Sequence, residues 1–249
     1  MQTEHMLSIR RKETQGCVLE VMEYQKLLGN PQSASEMYYR EKQGIKLRTL
    51  RATLSGGKLL AEPGQLQYMK GNIELKVESG GGVGGFLQRA VSAALTGETV
   101  FKTEYTGSGT IFLEPTWKNY LLLELSEDII IDRGIFVAGA GNLQFSIKRP
   151  DSILGNALSG EGMFQTLIKG SGIVALYTPV PEPEIMVAEL NNEKLVVDGN
   201  FAIARTAGVR MTVQKSSKGI LASAQSGEGL VTVFEGTGQV WLTPTVGMY

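Results

Sequence analysis

TGETVFKTEYTGSG (residues 96–109) and SGEGMFQTLIKGSG (residues 159–172) align without a gap. From Gly97 to Gly109, seven of thirteen positions are identical, where unrelated stretches of ordinary composition would share about one. A third copy, SGEGLVTVFEGTG (residues 226–238), is one residue shorter. Each copy opens on Gly-Glu (Gly97-Glu98, Gly160-Glu161, Gly227-Glu228) and closes on Gly-x-Gly (Gly107 and Gly109, Gly170 and Gly172, Gly236 and Gly238). The spacing is about 65 residues, and self-similarity at a fixed period is the mark of a repeat architecture.

A second motif runs in phase with the first: an apolar run, an acidic residue, a turn glycine and an alternating run. Its copies are LLAEPGQLQYMKGNIELKV (59–77), IIIDRGIFVAGAGNLQFSIK (129–148) and LVVDGNFAIARTAGVRMTV (195–213). Residues 73–77, 143–147 and 209–213 alternate apolar and polar side chains, the period of a half-buried strand. Glu62-Pro63-Gly64, Asp132-Arg133-Gly134 and Asp198-Gly199 carry turn chemistry. The Gly-x-Gly pairs are expected to separate further strand-like runs. The reading is an all-β chain of three tandem antiparallel units spanning 47–117, 118–181 and 182–249. Residues 1–46 form an N-terminal extension, with a first strand at 22–29 and an insertion at 30–44. Pro115, Pro179, Pro181 and Pro183 mark the seams, because proline cannot donate to a sheet ladder.

One stretch departs from this pattern. SGGGVGGFLQRAVSAALTGE (79–98) is glycine-rich and then helical in periodicity. Gly80, Gly82 and Gly85 fit G-x-G-x-x-G, but residues 99–117 alternate as strands and provide no parallel βαβ context for a dinucleotide. A short helix is expected near 86–95. Phe86, Leu87, Ala90, Val91, Ala94 and Leu95 share one half of its wheel. That face packs on its own sheet or meets a partner. Gly80, Gly81, Gly82, Gly84, Gly85, Phe86, Leu87, Val91 and Leu95 form the candidate interaction segment.

Composition narrows the function. Lys and Arg total 24 against 25 Asp and Glu in 249 residues, so no global field draws the chain to nucleic acid or an anionic membrane. The first 60 residues lean basic, with ten cations to six acids. Cys17 is the only cysteine and His5 the only histidine. An intrachain disulfide is impossible, His-rich metal sites are excluded, and only His5 remains for a Ser-His or Cys-His pair. No apolar run reaches the length of a membrane span, and no signal peptide is evident, so a cytoplasmic protein is expected. Glu98, Glu161 and Glu228 sit beside turn glycines, where carboxylates accept backbone N–H groups. The alternative is convergence of the three on an axis. No spacing singles out a catalytic set.

A glycine-rich stretch, an amphipathic helix and [ST]-G-E within three β repeats resemble the altered-inheritance-of-mitochondria family, in its bacterial type. That family is similar in turn to the tryptophan-RNA-binding attenuator (TRAP) fold. The resemblance covers about 50–249 and is most specific over 79–117. It implies β-sandwich or short double-stranded β-helix units and assembly into a ring-like trimer. The repeated basic motif through which TRAP binds RNA has no equivalent here, so no nucleic-acid partner is expected. Membrane-surface contact has no supporting motif. The expectation is a non-enzymatic, oligomer-forming β scaffold with no metal or cofactor. The alternative is a small-molecule-binding module with sites at the seams.

Overall fold

The computed structural model describes residues 5–27, 29–76, 102–148, 165–198, 201–215 and 230–248. The fold is mostly β, as read from the sequence. Among these residues, thirteen strands join one continuous antiparallel network. In chain order they are β1 (Met6–Thr14), β2 (Cys17–Tyr24), β3 (Arg48–Ala61), β4 (Leu66–Lys76), β5 (Thr103–Leu113), β6 (Asn119–Leu125), β7 (Ile129–Asp132), β8 (Phe136–Lys148), β9 (Gln165–Thr178), β10 (Met186–Asp198), β11 (Ala202–Thr206), β12 (Val209–Lys215) and β13 (Leu230–Leu242). An α-helix, α1 (Ala34–Lys42), lies between β2 and β3.

Two expectations are corrected. The Gly-x-Gly pairs do not separate strands. They lie in the middle of β5, β9 and β13, each of which runs unbroken through its glycines. These three strands are the spines of the network. β5 pairs with β3 and β4, β9 with β6, β7 and β8, and β13 with β10, β11 and β12. The glycines are there because neighbouring backbones approach too closely for a side chain. Gly170 has φ +106°, and a Cβ on it would overlap the Asn142 carbonyl oxygen of β8. The residue types on either side of each pair still alternate, so the strand continues through what reads locally as a breaker.

The second correction concerns the N-terminal extension. The first strand is not 22–29. A hairpin of β1 and β2, closed by a turn at Gln15 and Gly16, adds to the sheet through β2 and β3. Residues 30–44, expected to be an insertion, contain α1. The helix expected at 86–95 lies outside the described residues.

The spine strands set the interior. One apolar cluster joins β2, β3, β5 and β8 through Leu19, Leu50, Leu59, Ile111 and Val137. A second joins β7, β8, β9 and β11 through Ile131, Phe145, Ile168 and Ile203. A third gathers Leu190, Val209, Met211, Phe234 and Val240 around β13. Fully burying side chains of this size contributes about 1.5–3 kcal/mol each, which holds the long ladders together. Cys17 sits in the first cluster, and burial pushes its thiol up to about 12.

Candidate functional site

Short cross-links join the three spines, and their register places the site. Leu59, Leu60 and Ala61 of β3 pair with Ala140, Gly139 and Ala138 of β8. Ile129, Ile130 and Ile131 of β7 pair with Thr206, Arg205 and Ala204 of β11. Measured along the spines, these are corresponding positions. Leu60, Ile130 and Val196 lie opposite Glu104, Leu167 and Val233, each three residues before the first glycine of its Gly-x-Gly pair. On the other side of the spines, Ala138, Ala204 and Tyr68 face Ala175, Trp241 and Phe112.

Two corresponding segments have no cross-link among the described residues. Leu195–Val197 of β10 pairs only with β13, and Tyr68–Lys70 of β4 pairs only with β5. Exposure follows from this. Leu60 and Ile130, covered by their links, are 9% and 3% exposed, whereas Val196 is 51% and Met69 39% exposed. Met186 and Val187 also stand in solvent on β10, as does Leu75 on β4. Unpaired edges of 13 and 11 residues with apolar side chains are templates for another strand.

Buried polar groups stand at the two intrachain links. At the first, the Lys102 ammonium is almost wholly buried, pairs with Glu62, and lies over the rings of Phe136 and Phe145 at 4.7 and 5.2 Å from their centroids. Burial holds its pKa below the ordinary lysine value, against the raising effect of Glu62. At the second, Arg205 is 2% exposed. Its Nε donates to the Val209 carbonyl (3.0 Å) and its Nη1 to Gln165 Oε1 (2.7 Å), while Gln165 Nε2 donates to Asp132 (2.9 Å). Burial raises the Asp132 carboxyl above its ordinary value, opposed by Gln165 and Arg205. Glu62–Lys102 and Asp132–Gln165 occupy the same place relative to their spine glycines.

These arrangements predict an asymmetry. Lys102→Met removes a buried charge and leaves a thioether against two rings, so it costs less than about 1 kcal/mol or stabilises. Glu62→Ala strands the ammonium and costs about 3 kcal/mol. Denaturant unfolding of the two variants checks the order. Lys102 also sets a pH trend. Its folded pKa lies below the unfolded value of 10.5, so the unfolded chain binds more protons between the two, and wild-type stability rises with pH across that window. Lys102→Met lacks the rise.

Two cavities lie near these elements. One of about 250 Å3 lies at the seam marked by Pro181 and Pro183, between β1 and β6, where Arg10 pairs with Glu182 at 2.5 Å. One of about 540 Å3 lies between α1, the end of β2 and Trp117.

Of the residues singled out from sequence, Gly107, Gly109, Gly170, Gly172, Gly236 and Gly238 fall on the spines, all at positive φ. Between them, the Ser108 and Thr237 hydroxyls accept the N–H of Gly56 (2.9 Å) and Asn192 (3.1 Å), the left-handed residues at bulges in β3 and β10. The Gly170 N–H instead donates to Asp128 (3.2 Å). Gly97, Glu98, Gly160, Glu161, Gly227, Glu228 and the segment Gly80–Leu95 lie outside the described residues. Sequence reasoning missed Lys102, Arg205 and the two edges. Among the described residues no cluster of His, Cys, Asp and Glu is placed to hold a metal ion, and no helix is long and apolar enough to cross a membrane.

The fold and its open edges define a mostly antiparallel β protein built on glycine-marked spine strands. Residues 39–245 match the family model described as Mitochondrial biogenesis AIM24, and the chain belongs to that family. It is 24% identical over 196 residues to an uncharacterized protein of Streptococcus pyogenes serotype M6, M6_Spy0233, covering 75% of this chain and 77% of that one. The crystal structure of protein SPYM3_0169 from Streptococcus pyogenes superposes with a TM-score of 0.58 at 22% identity, covering 80% of this chain and 88% of that one. That likeness concerns the fold.

Proposed function

We propose that the chain is a non-enzymatic β scaffold of three tandem units that assembles with copies of itself, a third cross-link forming between chains. The observation that carries this is the register. The two intrachain links use corresponding residues in the same alignment, and the two segments that lack a link are complementary halves of a third. Continuing the pattern pairs Val197 with Tyr68, Val196 with Met69 and Leu195 with Lys70 of a second copy. Charge supports the match. β10 carries Glu189, Glu193 and Asp198 against Lys194, and β4 carries Lys70 and Lys76 against Glu74.

Because β10 and β4 are different surfaces, the contact is head-to-tail, and such contacts close as rings or extend as filaments. We take the closed ring, with the trimer that the family resemblance implies as its expected size. Light scattering at micromolar concentration tests the proposal. The expected result is a discrete oligomer that falls to monomer in Val196→Lys and Met69→Lys, since lysine on an edge strand blocks pairing. A wild-type monomer at that concentration overturns it.

A further inference from the structure

The cavity under α1 has no role in the proposed scaffold. Its volume of about 540 Å3 falls within the range of small-molecule sites, about 300–1,000 Å3. It is composite. Tyr24, Lys26, Tyr38 and Lys46 come from the N-terminal extension, and Trp117 from the segment that follows β5. Three aromatic side chains line it.

The charge is one-sided. Lys26, Arg40 and Lys46 line the cavity against the single acid Glu41. Arg40 is already engaged, bonded to Glu36 at 2.6 Å and set over the Trp117 ring at 4.4 Å. Lys26 and Lys46 have no ion-pair partner among the described residues. The roof is thinly attached, since no residue of α1 is buried, and a nine-residue helix has little stability of its own in water. Its ties across the cavity rest on Arg40 over Trp117 and on Met37 close to Gly29.

We propose that this cavity is a binding site for a small planar aromatic anion, such as an aryl phosphate or carboxylate. The ring lies among Tyr24, Tyr38 and Trp117, and the anionic group meets Lys26 and Lys46. An aromatic body gains the apolar burial that α1 does not supply, and the anion neutralises the two open ammonium groups. Binding therefore orders the helix.

The test is calorimetric titration of the full chain with 1-naphthyl phosphate, with 1-naphthol and inorganic phosphate as the uncharged and ring-free comparators. The expected result is saturable 1:1 binding of naphthyl phosphate, at least tenfold tighter than either comparator. Binding is expected to weaken about tenfold in Lys26→Gln/Lys46→Gln, and amide exchange over Ala34–Lys42 to slow when the ligand is bound. Lys26 is exposed, Lys46 half-buried, and neither makes an ion pair among the described residues, so the double variant is expected to keep the wild-type melting temperature. Equal binding of naphthol, equal binding of phosphate, or an unchanged affinity in the double variant each overturns the proposal, as does the absence of saturable binding.

Discussion

Gly170→Ala is expected to destabilise the chain by about 3 kcal/mol or more. Two effects add. An L-residue at φ +106° is strained by about 1–2 kcal/mol. The new methyl also overlaps the Asn142 carbonyl oxygen on β8, which cannot withdraw without opening the ladder on both sides of Leu143. For a chain of this length, 3 kcal/mol lowers the melting temperature by roughly 6–12 °C. Gly134→Ala separates the two effects. Gly134 also has positive φ, at +80°, but nothing lies near the position its Cβ would take. It should lose only about 1 kcal/mol. Equal losses at the two positions would mean that close approach of the strands is not what the spine glycine serves.

Arg205→Ala is the second large effect, at about 3–5 kcal/mol. The guanidinium supplies both the Val209 carbonyl and Gln165 Oε1, and its loss strips buried acceptors of their donors. Arg205→Lys does not restore both bonds, because a single ammonium cannot reproduce the fork. Asp132 is coupled to the same network. Its folded pKa is raised above the unfolded value of 3.8. Between those two values the native state binds more protons than the unfolded one, so stability rises as pH falls through that window. Asp132→Asn should remove this rise. In the Arg205→Met background it should recover part of the loss, because the buried carboxylate no longer has a cation beside it. Denaturant titrations of the two single variants and the double variant read the coupling.

The spines were legible in the sequence as recurring glycines, but their meaning was not. Gly107-Ser108-Gly109 reads as a turn because glycine commonly marks one. Only the register shows that Gly71 and Gly109 sit opposite each other on β4 and β5. Glu62 and Asp132 were legible as turn residues. Their buried partners were harder to see, although Lys102 and Gln165 follow Phe101 and Phe164 at matching places in the repeat. Arg205 had a weaker signal, a lone charge inside the apolar run Phe201–Val209. The edges had none. Val196 has the same chemistry as Leu60 and Ile130, and nothing local reveals that its neighbour is missing. Helix α1 was hidden for another reason. Only Ala34, Met37 and Tyr38 line one face of its nine residues, too short a stripe to mark a 3.6-residue period.

The proposed assembly rests on one contact, Val196 of one copy opposite Met69 of another. Cys17 leaves a clean background for testing it, since its buried thiol is held far from the reactive thiolate form. Val196→Cys and Met69→Cys are made separately, mixed as folded proteins and oxidised gently. Cross-strand neighbours have Cβ atoms about 4.5–5.5 Å apart, close enough for a disulfide to form with small adjustment. The expected product is a disulfide-linked heterodimer in the mixture that far exceeds the homodimer of either variant alone. Failure of the mixture to cross-link beyond the separate variants would contradict it.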